Sequence, residues 1–426
     1  MAVIFIFILC LLLAIPISIS LGIASVIPKL LEPSFTASGS FVIRSMFGGI
    51  DSFPLLAIPM FVLSGIIMAR GGVSKKLFEV FSYFIGDRTA GMPCAVIITC
   101  LFFGAISGSA PATVAAVGSM TIPVLTNLGY DKTFSTAIVA VAGGLGVIIP
   151  PSIPFILYGM ASNESVGKLF MAGIIPGILI AALLMLHSYL YCKKHGEDKV
   201  KIHAEVQGLR ARGFLPLLKD SIWALLTPVI ILGCIYSGIA SPTEAAVISV
   251  FYALFISLFV YKSLQFKDLK EILVTTCKTY APLLFILAAS VAFSRVLTLM
   301  QLPQSISTLI LGNFSSKVAI LLVVNVILLL TGMVMDTSPA ILIVTPILLP
   351  IMKTIGVDPI HFGIIMVVNL AIGFVTPPIG VNLFVASSLS GIPVIQIAKK
   401  ALPFIVYFLL ALLLITFIPA LSLTLV

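Results

Sequence analysis

Two stretches of the chain decide its fold: Gly104-Ala-Ile-Ser-Gly-Ser-Ala-Pro111 and Gly332-Met-Val-Met-Asp-Thr-Ser-Pro339. Each is a small, hydroxyl-bearing run inside an apolar segment, and the second begins 228 residues after the first (104 to 332). Working outward, Pro150-Pro151 meets Pro377-Pro378, Gly146 meets Gly373 and Asp131 meets Asp358, all at a spacing of 227. Pro54-Leu-Leu returns as Pro282-Leu-Leu, and Gly22-Ile-Ala-Ser25 as Gly238-Ile-Ala-Ser241. Chance would account for one match between apolar segments that carry Gly and Pro. Several, in order and at nearly one offset, point to a duplicated chain.

Composition fixes the solvent of that duplicate. Of the 426 residues 60% are hydrophobic and 9% charged, where a soluble globular chain carries about 25% charged residues. A soluble enzyme, a disordered chain and a nucleic-acid binder are excluded. The net charge of +9 is topology information, because seven of the 24 Lys and Arg lie in Lys193–Asp220 and most others flank apolar runs. Cys10, Cys94, Cys100, Cys192, Cys234 and Cys277 form no C-x-x-C pair, so neither a disulfide framework nor a metal site is expected.

The chain divides into a first repeat (1–192), a linker (193–220) and a second repeat (221–426). The linker holds 11 of the 39 charged residues and is expected in the cytoplasm. Residues from Ala2 to about Ile27, with no basic leader, read as a retained first span. Segments 221–240 and 242–261 read as an out-and-back pair, and 272–292, 133–161 and 167–192 as further crossings. Arg70, Lys75, Lys76, Arg88 and Lys132 then fall on the linker's side. Segments 89–129 and 315–357 enter and return from opposite faces, the mark of an inverted-topology repeat. Residues 28–50, with Lys29, Glu32 and Arg44, are not clearly a span, although the symmetry asks them to cross. Residues 74–86 read as an interfacial amphipathic helix, with a less charged counterpart near 303–314.

Irregular backbone is tolerated at membrane depth only where it is buried in protein or lines a cavity. Four places announce it: the tips Ser107–Pro111 and Asp336–Pro339, and the broken spans Gly143–Ser152 and Gly373–Gly380. Proline removes a donor and unwinds a helix. The freed carbonyls and nearby hydroxyls suit a weakly charged cation, and the half-helix N-termini suit an anion. No carboxylate cage for Mg²⁺ or Ca²⁺ is present. The plainer alternative is that the prolines only kink packed helices. Asp336 is the one acid in a tip, and three functional roles stand open for it: facing a cation, taking up a proton or bonding a cargo hydroxyl. A structural one stands beside them, capping the second hairpin helix. Glu244 reads as a helix-start acid, Arg44 and Arg295 as interface anchors, and Trp223, Tyr191 and Tyr261 as interface-belt aromatics. His187, His195, His203 and His361 form no ligand pair, and no nucleophile–base constellation or Walker loop is present.

Phe102-Phe-Gly-Ala-Ile-Ser-Gly-Ser-Ala, Gly49-Ile-Asp-Ser-Phe-Pro-Leu-Leu-Ala-Ile-Pro59, Ile148-Ile-Pro-Pro-Ser-Ile-Pro154 and Val375-Thr-Pro-Pro-Ile-Gly380 resemble the large membrane subunit (DctM type) of tripartite ATP-independent periplasmic (TRAP) transporters. The resemblance covers essentially the whole chain. It implies an all-α polytopic membrane protein of the elevator-type ion transporter superfamily, with an inverted repeat, two re-entrant hairpins and two broken helices. It implies a bacterial inner-membrane location, with a small membrane subunit (DctQ type) and a periplasmic substrate-binding protein (DctP type) as partners, and Na⁺ as coupling ion with no cofactor. The chain looks like an unfused large subunit. Carried over by motif, a first sodium site uses Ser107, Ser109, Gly144, Gly146 and Pro150, and a second uses Gly332, Thr337, Gly373 and Thr376. The cargo then lies near Ser109, Ser152, Asp336 and Asn382. Ala110-Pro111 and Thr337-Ser338 depart from the common tip pattern, so the two sites should differ in geometry. The expected activity is Na⁺-coupled import of a small carboxylate, such as a C4-dicarboxylate or a sialic acid. The rivals are a stand-alone symporter or exchanger, an ion channel and, weakest, a membrane enzyme.

Overall fold

The computed structural model describes residues 2–314 and 316–426. Met1 and Ser315, the latter opening the re-entrant segment expected at 315–357, lie outside the described residues. The described chain is helical throughout. In order come α1 (Ala2–Leu12), α2 (Ile17–Leu31), α3 (Gly39–Ile50), α4 (Ala57–Arg70), α5 (Val73–Ile85), α6 (Gly91–Ser107), α7 (Ala110–Asn127), α8 (Lys132–Ala142), α9 (Ile153–Ser162) and α10 (Val166–His195). Then follow α11 (Lys199–Ala211), α12 (Phe214–Tyr236), α13 (Pro242–Phe255), α14 (Leu269–Leu299), α15 (Leu302–Asn313), α16 (Lys317–Val334), α17 (Thr337–Thr354), α18 (Pro359–Gly373), α19 (Val381–Ser390), α20 (Val394–Phe417) and α21 (Ala420–Leu423). Among the described residues, eight helical stretches are long and apolar enough to cross a membrane. The chain is a multi-pass membrane protein.

The N-terminus differs from the sequence expectation. The single span from Ala2 to about Ile27 is two helices, α1 and α2, which pack on each other. Pro16 cannot donate a backbone bond and disfavours helix at the residue before it, and Ala14 takes a left-handed φ of 57°. Residues 28–50 are likewise not one crossing but the end of α2, a turn and α3. Lys29 closes that turn, its ammonium donating to the carbonyls of Pro33 (2.5 Å) and Phe35 (2.8 Å). Ser38 then caps α3 by accepting from the Phe41 amide. A short 3-10 turn, Phe53–Leu56, leads into α4. Helices α3 and α4 both lie along α14.

The charged segment 193–220 contains a docked helix. Asp198 caps α11, and the bond it accepts from the Lys201 amide holds its carboxyl below the usual range. Glu197 beside it turns inward with 1% of its side chain exposed. Its carboxylate accepts from the Ala90 amide at 3.0 Å and the Tyr130 hydroxyl at 2.6 Å. Burial, with Glu197 adjacent, pushes the Tyr130 phenol far above its ordinary pKa, so it stays a donor. Further along, Arg210 and His203 bind Asp87.

The interior is organised by two helical hairpins, α6–α7 and α16–α17, each pressed against an interrupted helix. Residues Gly143–Val147 continue α8 as a 3-10 turn before the break at 148–152. Residues 374–380 separate α18 from α19. Glycine allows the hairpins to approach this closely. A Cβ on Gly104 would lie 2.6 Å from the Gly146 Cα, and one on Gly373 would lie 2.3 Å from the Gly332 carbonyl oxygen. Farther along the second contact, the buried Asn369 amide donates to the Asn325 side chain at 2.7 Å.

These contacts predict that Gly104→Ala lowers the thermal stability of the detergent-purified protein by more than about 2 kcal/mol, since a Cβ against backbone cannot be relieved by a rotamer change. Gly233→Ala, where a Cβ would meet nothing within 4 Å, should leave the melting temperature unchanged.

Candidate functional site

The hairpin tips end inside the protein, where their backbone must find internal partners. Each finds them on its interrupted helix. The Gly108 carbonyl accepts from the Ile153 amide at 3.3 Å, and the Met333 carbonyl accepts from the Ile379 amide, also at 3.3 Å. Gly108 can make the first turn because it takes a left-handed φ of 61°. The second turn has no glycine at its apex, and Asp336 caps α17 by accepting from the Ser338 amide at 3.0 Å. The capping role expected for Asp336 is therefore present.

The two tips share a cavity of about 480 Å³. Ser107, Gly108, Ser109 and Pro111 line it from the first tip, and Asp336, Thr337 and Ser338 from the second. Ile153 and Pro154, opening α9, lie beside them. The opposite wall is α4 and α14, with Val62, Gly65, Ala69, Arg70, Thr275, Thr279 and Leu283. Gly65 permits the close approach of that wall, since a Cβ there would lie 3.1 Å from the Ser107 Cα.

Around the first tip the oxygens are concentrated. Ser107 and Thr113 hydroxyls lie 2.9 Å apart, and Thr113 donates to the Ser109 carbonyl at 2.8 Å. Gly146 closes against the same group, for a Cβ there would lie 2.5 Å from the Thr113 hydroxyl and 2.8 Å from the Ser109 carbonyl oxygen. Ser107, Ser109 and Gly146 are thus brought together. Gly144 faces elsewhere, with the Phe408 ring and the Ala371 carbonyl as its neighbours. Pro150 is buried in the break and joined to Pro151 by a cis peptide; neither is in the cavity lining.

In the second set Gly332 and Gly373 are in backbone contact. Thr337 lines the cavity, and the Thr376 hydroxyl donates to the Ile372 carbonyl at 2.7 Å. Of the residues expected to meet cargo, Ser109 and Asp336 line the cavity, while Ser152 and Asn382 do not. Both are fully buried. Ser152 caps α9 and donates to the Val147 carbonyl at 2.5 Å. Asn382 ties the two interrupted helices together, its amide donating to the Ala140 carbonyl at 3.0 Å.

Sequence reasoning did not single out Thr113, Thr275 or Thr279, and it assigned Arg70 only to topology. Thr113 carries a usable signal, standing one helical turn after Ser109 in the hairpin that follows the tip. The threonines of α14 carry none, because they belong to a distant element.

Chemically, the cavity brings helix N-termini beside the hydroxyl oxygens of the tips and the Asp336 carboxylate. Helices α7, α9 and α17 all begin at its edge, and helix N-termini carry partial positive charge, although the Ile153 and Phe155 amides of α9 and the Ser338 amide of α17 are already bonded within the protein. Among the described residues no three His, Cys, Asp or Glu side chains cluster, so nothing there resembles a divalent-metal centre. Interrupted helices ending around a small cavity amid membrane spans are the arrangement of a secondary transporter.

Comparison with known proteins agrees. A family profile described as the DctM component of tripartite ATP-independent periplasmic transporters matches residues 4–421, and the chain belongs to that family. It is 42% identical over 406 residues to a C4-dicarboxylate TRAP transporter large permease of Pseudomonas aeruginosa, covering 95% of this chain and 93% of that one. It is 47% identical over 391 residues to an isethionate TRAP transporter permease of Oleidesulfovibrio alaskensis, covering 91% of this chain and 61% of that longer one. A sialic acid large permease of Vibrio cholerae is 35% identical, covering 91% of this chain and 89% of that one. Two solved transporters share the fold with a TM-score of 0.63: Alcanivorax borkumensis YdaH, 17% identical with 97% of each chain covered, and Neisseria gonorrhoeae MtrF, 13% identical with 94% of this chain and 93% of that one covered.

The Thr113 geometry yields a prediction. Thr113→Val removes the hydroxyl that joins Ser107 to the Ser109 carbonyl and should destabilise the protein by about 1–3 kcal/mol. Thr113→Ser should restore most of that stability, as read by thermal unfolding of the purified protein.

Proposed function

We propose that this chain is the large permease of a Na⁺-driven importer of small organic acids in the bacterial inner membrane. A single observation carries the reading: three helix N-termini and two hydroxyl-bearing tips meet at one cavity. The N-termini attract a carboxylate or sulfonate, and the hydroxyls and freed carbonyls beside them suit a monovalent cation. A bound Na⁺ would offset the Asp336 charge and raise affinity for the anion, coupling the two. The first ion belongs with Ser107, Ser109, Thr113 and the Gly146 turn. The second belongs between Gly332, Thr337, Gly373 and Thr376.

Movement follows an elevator. Helices α6–α10 and α16–α20 form the moving body, and α1–α4 with α12–α14 form the scaffold, joined by α5 and α15. The motifs repeated at a spacing of 227–228 support this, because two equivalent halves of opposite topology would exchange conformations to give the outward and inward states. Segment 193–220 faces the cytoplasm. A small membrane subunit covers the scaffold within the lipid, and a periplasmic binding protein delivers the cargo. The named relatives support the cargo class, since C4-dicarboxylate, isethionate and sialic acid are all small acids.

The test is uptake of radiolabelled succinate, isethionate and N-acetylneuraminate into proteoliposomes containing this chain and its small subunit, with the binding protein outside. Accumulation of one acid that needs both an inward Na⁺ gradient and the binding protein is expected. Uptake indifferent to both would overturn the reading. Ser109→Ala and Thr376→Ala should abolish that uptake while membrane insertion, read by yield of folded protein, is unchanged.

A further inference from the structure

Among the described residues Arg70 is the one cationic side chain lining the cavity, and it belongs to the α4–α14 wall rather than the tips. It ends α4, where a cation suits the helix C-terminus. Its guanidinium donates from Nη2 to one oxygen of Glu271 at 2.7 Å. Among the described residues that is the only hydrogen bond found for this side chain, although guanidinium has five donors in a planar fork. Glu271 stands in the first turn of α14 with 68% of its side chain exposed, against 35% for Arg70. An exposed single-contact pair of this kind holds weakly, and a bidentate carboxylate competes well for the same fork.

The rest of that wall directs an anion to Arg70. Thr275 and Thr279 follow Glu271 at successive turns of α14 and face the cavity. Their hydroxyls donate to the carbonyls of Glu271 at 2.8 Å and Thr275 at 2.9 Å. They therefore present lone pairs to the cavity, leaving Arg70 as the charged donor on this side. The Ser263 hydroxyl bonds the Gly71 carbonyl at 3.0 Å, so Arg70 lies at the same end of the scaffold as the basic run Lys262–Lys270, the cytoplasmic end in the function proposed above.

We propose that Arg70 forms a second carboxylate subsite at the cytoplasmic mouth of the cavity, where the departing cargo displaces Glu271 before release. The inference rests on the importer reading. Glu271 then acts as a built-in competitor that empties the subsite, and recapture of the acid from the cytoplasmic side depends on Arg70.

The test uses the same proteoliposomes and whichever acid of the three-acid panel the wild-type vesicles accumulate. Internal and external half-saturation are measured separately by exchange. Arg70→Gln is expected to raise the internal half-saturation concentration by about tenfold or more, with the external value within about twofold. Glu271→Gln is expected to move it the other way and to slow net uptake, because release is no longer assisted. The double variant R70E/E271R restores an ion pair while reversing its ends, and is expected to stay as impaired as Arg70→Gln. Recovery of wild-type exchange by that double variant, or equal impairment by Arg70→Gln and Glu271→Gln, would show a scaffold latch and overturn the subsite. Thermal unfolding of each variant is run in parallel, and Arg70→Lys, which keeps the charge but loses the fork, substitutes if Arg70→Gln does not fold; an internal value unchanged by it would also overturn the subsite. Wild-type vesicles that accumulate none of the acids would instead defeat the importer reading.

Discussion

Everything in this structure follows from the need to satisfy backbone polar groups where no water is available. A helix that stops inside the membrane leaves donors and acceptors that cost several kcal/mol each if orphaned in hydrocarbon. This protein stops helices there at four places. It settles part of that cost by joining each hairpin tip to its interrupted helix, through the Gly108–Ile153 and Met333–Ile379 backbone bonds. Capping side chains settle more of it, Ser152 accepting from the Phe155 amide and Asp336 from the Ser338 amide. The cavity lies where those tips and caps meet.

That arrangement demands close approach, and close approach demands missing side chains. Gly104 on Gly146 and Gly332 on Gly373 bring backbone to backbone at equivalent places in the two halves. The first contact also sets the height of the Ser107–Thr113 hydroxyl pair above the 3-10 turn. Packing and site geometry are therefore one constraint here. A glycine that looks like a packing device also lies against the Thr113 hydroxyl and the Ser109 carbonyl oxygen.

How much of this was legible depends on whether a feature is local. The tips and interrupted helices could be read from Gly104–Pro111, Gly332–Pro339 and the two Pro-Pro pairs, because small residues, hydroxyls and prolines act on their own backbone. Pro16 carried the same kind of local signal, yet the apolar run around it outweighed that signal and one span was expected where α1 and α2 form. Lys29 was read as a charge that spoils a crossing, when its partners are carbonyls a few residues ahead. The docking of α11 was not legible. Glu197 looks like one more charge in a charged run, and only the fold brings Ala90 and Tyr130 to it. Ser152 and Asn382 were placed with the cargo on the strength of motif position, but the Ser152 hydroxyl and the Asn382 amide nitrogen are each bonded to a nearby carbonyl, while the buried Asn382 Oδ1 has no partner among the described residues.

The same distinction separates the two walls of the cavity. The tip wall is written in contiguous motifs, since a turn and its flanking caps must be encoded where they occur. The α4–α14 wall is assembled from residues about 200 positions apart, Arg70 and Glu271 among them, and each alone has an ordinary helix-end explanation. Charge at a helix terminus suits the macrodipole wherever it occurs, so nothing in either segment distinguishes a topology marker from a ligand. What distinguishes Arg70 is that it lines the cavity on a wall whose other described lining residues are neutral, while bonded to Glu271 at 2.7 Å. In the function proposed above, a cargo held by helix N-termini at the tips meets on that wall, among the described residues, no charged donor except Arg70. In that function the gradients set the direction of net transport, and the cation on the scaffold's cavity wall sets only how strongly the acid is held at that end.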